Sequence, residues 1–151
     1  MKIIVVVGYP NTGKTTVICK VFEKITGRLP KSYPGNPLDY QDSDYYKKKK
    51  ISISSAGDNP ELVKKSIAYG RNNNCDILVM AISRPWNPGW KWQYWFKNHS
   101  LNTDTIYWCS SNFPAPYTLA SPPAQPSWGT PSVDDLTELL ANYIVDLIEK
   151  I

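Results

Sequence analysis

The 151-residue sequence predicts an α/β domain in three layers, a mainly parallel sheet of about five strands with helices on both faces. Three observations lead there. Ile3 to Val7 is an unbroken β-branched run, the pattern of a strand buried on both faces. Apolar segments of strand length then alternate with segments of helical period. The chain closes on a full helical stripe, Leu136, Leu139, Leu140, Tyr143, Ile144, Leu147 and Ile148, which needs a sheet to pack against.

Each element follows from its own residues. The first strand ends at Gly8, where a turn can form. From Lys14 onward Val17, Ile18, Val21, Phe22 and Ile25 recur at helical spacing, and Gly27 supplies the stop, for a helix of about three turns. Residues 28–49 hold Pro30, Pro34, Gly35 and Pro37 among Asp and Tyr, which predicts an irregular excursion with at most a short strand. A connection this long is uncommon in a compact domain unless it is a lid, a binding loop or disordered.

Ile51 to Ala56 alternates as a strand does. Asn59 then caps a helix with Pro60 at its first position, and Leu62, Val63, Ile67 and Gly70 mark its inward face. Asp76 to Ile82 reads as another buried strand. Asn87-Pro88 opens a helix carrying Trp90, Trp92, Tyr94, Trp95 and Phe96, and Thr105 to Cys109 reads as the last strand. Six prolines between Ser110 and Pro131 exclude a helix or central strand there and predict a surface loop or lid. Ser132 caps the closing helix with Asp135 at the third position. Residues 1–151 therefore read as a single domain without internal repeats.

Composition narrows the class. A chain of this length buries roughly 70% of the surface its unfolded form exposes, enough for one core. No apolar run approaches the roughly 20 residues of a membrane helix, so no membrane partner is expected, and the short apolar start is better read as a strand than as a signal peptide. Cys19, Cys75 and Cys109 are odd in number and lack metal-site spacing, which suits a reduced, cytoplasmic chain. The net charge of +4 owes much to Lys47 to Lys50, read as a solvated loop or an exposed strand start, with contact to a polyanion or a substrate phosphate as the alternative.

The most informative segment is Gly8-Tyr9-Pro10-Asn11-Thr12-Gly13-Lys14-Thr15, set between a strand and a helix. A triphosphate needs several donors converging on its oxygens, and a glycine-rich turn at a helix N-terminus offers backbone N–H groups and a favourable dipole together. Gly8 and Gly13 permit the close approach, Lys14 reaches the β- and γ-phosphates, the Thr15 hydroxyl takes a position on Mg²⁺, and Thr16 faces the α-phosphate side. Asn11 and Thr12 lie at the crown of the loop.

On these residues, from Ile3 to Val21, the sequence resembles the P-loop NTPase superfamily, and most of all its small kinase-like ATP-binding members. The resemblance implies a P-loop NTPase-like fold, a nucleoside triphosphate and Mg²⁺, and an acid at the end of a neighbouring strand. Here that strand ends Ser54-Ser55-Ala56-Gly57-Asp58, so the acid is displaced to Asp58, which either caps the following helix or serves Mg²⁺ and catalysis. The tract is similar to the DxxG of GTP-binding proteins with Ser54 in place of the Asp. No Asn-Lys-x-Asp follows a later strand; Ile82-Ser83-Arg84-Pro85 stands there, which favours ATP over GTP.

Other residues extend the expectation. Arg84, at the carboxyl end of a central strand, is positioned to clamp a phosphate during transfer or to form a surface ion pair. Arg28 and Arg71 read as structural. Asp39, Asp42 and Asp44 lie in the excursion where, by resemblance to P-loop kinases, an acceptor binds and a carboxylate takes its proton; otherwise they solvate a loop. The aromatic stretch Trp86 to Phe96 suits packing, homo-oligomer or protein contact, with base stacking and then nucleic acid less favoured. His99 reads as a cap or surface residue rather than a catalytic one. The expected function is phosphoryl transfer from ATP to a nucleotide or other small acceptor by Lys14, Asp58 and Arg84. The alternative is a nucleotide-dependent interaction module, or slow NTPase, acting on a protein or nucleic-acid partner.

Overall fold

The computed structural model describes residues 1–8, 12–83, 101–111, 113–116 and 133–151. It is a mixed α/β fold. The strands are β1 (Lys2–Gly8), β2 (Ser32–Tyr33), β3 (Asn36–Tyr46), β4 (Lys49–Ser54), β5 (Ile77–Ser83), β6 (Thr105–Ser110) and β7 (Phe113–Pro116). The helices among the described residues are α1 (Lys14–Thr26), α2 (Pro60–Asn72) and α3 (Val133–Lys150).

The strands join in the order β2-β3-β4-β5-β1-β6-β7. The central four, β4, β5, β1 and β6, run parallel, whereas β3 on one side and β7 on the other are antiparallel to their neighbours. The sheet thus exceeds the five strands expected, because antiparallel strands are added at both flanks of the parallel centre.

Alternation along β1 splits its side chains between two cores. Ile4 and Val6 pack with Val17, Ile18, Val21, Phe22 and Ile25 of α1 and with Leu140, Ala141, Ile144 and Ile148 of α3. Ile3, Val5 and Val7 pack with Val63 and Ile67 of α2 and with Leu78, Met80 and Ile82 of β5. Each such side chain, fully removed from water, contributes about 1.5–3 kcal/mol. The stripe of α1 and its stop at Gly27, in the left-handed conformation at φ 73°, match the sequence reading. In α3, Leu139 is exposed and Leu136 half-buried, so the stripe is narrower than expected. In α2, Ser66 is buried alongside Val63, while Leu62 is only half-buried.

Residues 28–49 are not an irregular excursion. Pro34 and Gly35 occupy the turn between β2 and β3, and Pro37 stands near the start of β3, outside its ladder to β4. Beyond it, Tyr40 and Tyr46 pack against the α1 core while Ser43 on the other face bonds Ser52 at 2.7 Å, a period-2 pattern hidden by its polar residues. Asp42 and Asp44 accept the N–H groups of Ser43 and Tyr45 at 2.8 Å each, and Arg28 bridges both carboxylates at 2.7 and 2.8 Å. The Arg28 guanidinium lies 4.8 Å over the Phe22 ring. Arg28 is structural, as expected. Tyr46 faces Lys49 in the ladder, so Lys47 and Lys48 form a two-residue turn, both with positive φ, of 46° and 69°.

The proline-rich stretch also departs from expectation at its start. Ser110 belongs to β6, and Phe113–Pro116 forms β7, which is permitted because it is an edge strand. Arg71 pairs with Asp104 at 2.7 Å, as a structural arginine does. No helix among the described residues is long and apolar enough to cross a membrane. The helix expected after Asn87, the Ser132 cap, His99 and the rest of the proline-rich stretch lie outside the described residues.

Candidate functional site

Gly8 closes β1 and Gly13, at φ 82°, caps α1 without a side-chain hydrogen bond, which leaves the helix to begin with its N–H groups forward. A Cβ on Gly8 would stand 1.9 Å from Ser111 Oγ and 2.5 Å from Thr12 Oγ1. Glycine is therefore required for the approach of these two hydroxyls, which share a hydrogen bond of 2.6 Å. The Ser111 N–H donates to Val7 O at 2.9 Å, extending the β1–β6 pairing to the loop. Ser111 is a site residue the sequence did not signal; a serine after a strand carries no mark of the neighbour it will meet.

Beside the loop lies a cleft of about 570 Å³ at the carboxyl ends of the parallel strands. Gly13, Lys14, Thr15 and Thr16 form one wall; Ser55, Asp58 and Ser83 form a second; Asn36, Leu38 and Asp39 close the third. Lys14 is only 8% exposed. Burial pushes its ammonium below the usual lysine range, and the Asp58 carboxylate partly offsets that. Ser83 Oγ donates to Asp58 Oδ1 at 2.5 Å. The helix cap is made by Asn59, whose Oδ1 accepts the Leu62 N–H at 3.0 Å, so Asp58 is left to the cleft.

The stretch after β4 is built for close approach. A Cβ on Gly57 would meet Ala81 O at 1.8 Å, and Gly57 O accepts the Ser83 N–H at 3.0 Å. Only glycine lets this segment lie against β5 and bring Asp58 to Ser83. Ser54 turns the other way, bonding Ser66 Oγ at 2.7 Å beneath α2, so of the two serines it is Ser55 that faces the cleft.

Of the three acids in the excursion, the structure brings one to the cleft. Ser55 Oγ donates to Asp39 Oδ1 at 2.8 Å and Asn36 Nδ2 to Asp39 Oδ2 at 2.8 Å. Asp42 and Asp44 are held by Arg28 instead. Burial pushes the Asp42 carboxyl up, but Arg28 and the N–H groups of Ser43 and Lys31 outweigh it and leave it below the usual range. Among the expected site residues, Gly13, Lys14, Thr15, Thr16 and Asp58 line one cleft, while Gly8 and Thr12 meet Ser111. Tyr9, Pro10, Asn11, Arg84 and the Trp86–Phe96 stretch lie outside the described residues. The cleft-facing oxygens of Thr15, Ser55, Asp39 and Asp58 are hard donors, which suits Mg²⁺ rather than a soft metal. No protein-family model, curated protein or solved structure matches the chain.

Proposed function

We propose that this cleft takes a nucleoside triphosphate, ATP in preference to GTP, with Mg²⁺, and that the chain is a P-loop protein of three-layer α/β/α type transferring the γ-phosphoryl to a small acceptor. One observation carries the reading: Lys14 is the first residue of α1, buried, and in the same cleft as Thr15 and Thr16. An ammonium held at burial cost beside the forward N–H groups of a helix is a place for a polyanion.

The chain's own residues divide the work. Lys14 and the loop N–H groups bind the β- and γ-phosphates. Thr15 and a carboxylate of the cleft, Asp58 or Asp39, would hold the cation, whose chemistry when bound would be to neutralise charge developing on the phosphoryl oxygens. Asp58 also sets the field at Lys14. Arg84, next in sequence after the cleft residue Ser83, supplies a clamp on the transferring group. The acceptor enters along Asn36 and Leu38, the latter 80% exposed.

Calorimetric titration with ATP and GTP, each with Mg²⁺, tests the binding. Lys14→Ala is expected to weaken ATP binding by about 100-fold, the loss of a charge-assisted contact of about 2–3 kcal/mol. Equal affinity in the variant, or none in the wild type, would sink the proposal. Labelled γ-phosphate that reaches no member of a panel of nucleosides, nucleotides and metabolites would exclude the transfer reaction while leaving binding intact.

A further inference from the structure

We infer that Asp39, supplied from the antiparallel strand β3 and fixed by Ser55, is the carboxylate that holds the divalent cation of the triphosphate, in place of an acid at the end of β4. This rests on the function proposed above. Ser55 is the first residue past β4 and faces the cleft without a charge of its own. It is joined to β3 at three points: its N–H donates to Tyr40 O at 2.9 Å, its Oγ accepts the Tyr40 N–H at 2.9 Å, and the same Oγ donates to Asp39. The serine therefore positions a neighbouring strand's carboxylate where its own side chain has none.

The geometry favours Asp39 over its rivals. One donor on each oxygen, from Ser55 and from Asn36, fixes the carboxyl plane and leaves each oxygen a further lone pair. Both donors are neutral, so the charge of Asp39 is not matched by them. Asp58, by contrast, already lies in the field of the Lys14 ammonium, and Asp42 and Asp44 are tied to Arg28. Asp39 also lines the same cleft as Thr15. Mg²⁺ retains several waters and is held by one or two carboxylates plus phosphate oxygens, which a single fixed carboxylate near Thr15 satisfies.

The test compares ATP affinity in excess Mg²⁺ with that in EDTA, and follows Mn²⁺ by its paramagnetic resonance in the presence of a non-hydrolysable ATP analogue. Asp39→Asn is expected to lose about 10-fold or more of the gain that Mg²⁺ confers, with metal-free affinity not reduced, and to change the spectrum of the bound Mn²⁺. Ser55→Ala, which removes only the fixing donor, is expected to lose part of that gain, and carries the test should Asp39→Asn fold poorly. A full Mg²⁺ gain in both variants, its loss in Asp58→Asn alone, or an equal fall in metal-free affinity would overturn the assignment. Wild-type protein that binds no ATP under either condition overturns the proposed function itself; ATP binding with the Mg²⁺ gain intact in Asp39→Asn overturns only the role of Asp39.

Discussion

Two glycines and two hydroxyls set the local geometry of the site. Gly8 and Gly57 are needed for space rather than for unusual dihedrals, since neither has a positive φ. The obstacles differ in kind. At Gly57 the obstacle is the Ala81 backbone, which cannot move aside; at Gly8 it is the Ser111 and Thr12 side chains, which can be trimmed. Gly8→Ala is accordingly expected to destabilise the protein by about 1–3 kcal/mol through overpacking. Ser111→Gly in that background should recover most of the loss, read as denaturation midpoints of the two single variants and the double. Additive losses instead of recovery would show that Ser111 is not what Gly8 accommodates.

At the scale of elements, the β3–β4 hairpin is held by charge as much as by packing. Asp42 accepts from Arg28, from the Lys31 N–H at 3.1 Å and from the Ser43 N–H, and lies almost wholly buried. Its folded pKa is depressed below the unfolded value of 3.8, so the stability it contributes is present above that value and is lost as pH falls through the folded pKa. Asp104 behaves alike: burial pushes it up, and the Leu101 N–H, Arg71 and the terminal ammonium bring it below the usual range. Urea denaturation should show stability level above about pH 5 and falling below about pH 4. Asp42→Asn is expected to cost about 2 kcal/mol at neutral pH and to flatten that acid fall. An unchanged acid limb in the variant would remove Asp42 from this account.

At the scale of the whole molecule, the strand order assembles the cleft. With β5 between β4 and β1, the segment after β4 reaches Lys14 only by crossing the end of β5, and the Gly57–Ser83 contact is that crossing. The two cores then hold α1 and α2 against opposite faces of the sheet and keep the cleft walls apart. Such a site stores a cost at Lys14. Lys14→Met removes that burial cost together with the attraction to Asp58, and because burial is the larger of the two it is expected to raise the ligand-free stability by about 1 kcal/mol, roughly 2–4 °C in Tm for a chain of this length. The same variant should lose the rise produced by Mg·ATP, which at 100 times Kd is about 2.7 kcal/mol in the wild type. Thermal unfolding of both proteins with and without Mg·ATP reads both effects, and a ligand-free variant less stable than wild type contradicts the first.

Local chemistry was legible wherever one residue type has one physical use. The β-branched run of β1, the period of α1, its stop at Gly27 and the Asn59-Pro60 start of α2 are dictated by backbone and burial preferences, so the sequence alone determined them. It also determined that a lysine and two threonines follow a glycine turn at a helix start. The β3 strand was hidden because Tyr40, Asp42, Asp44 and Tyr46 share one face yet mix aromatic with acidic residues, and a buried Asp42 is made tolerable by Arg28, which follows α1, together with the Lys31 and Ser43 N–H groups. Which acid meets the cleft was likewise undecided along the chain: Asp39, Asp42 and Asp44 are equivalent in sequence, and the register of β3 on β4 assigns Asp39 to Ser55 and the other two to Arg28. Register and strand order are long-range properties, fixed by which faces are buried together, and they alone turned separate polar residues into one site.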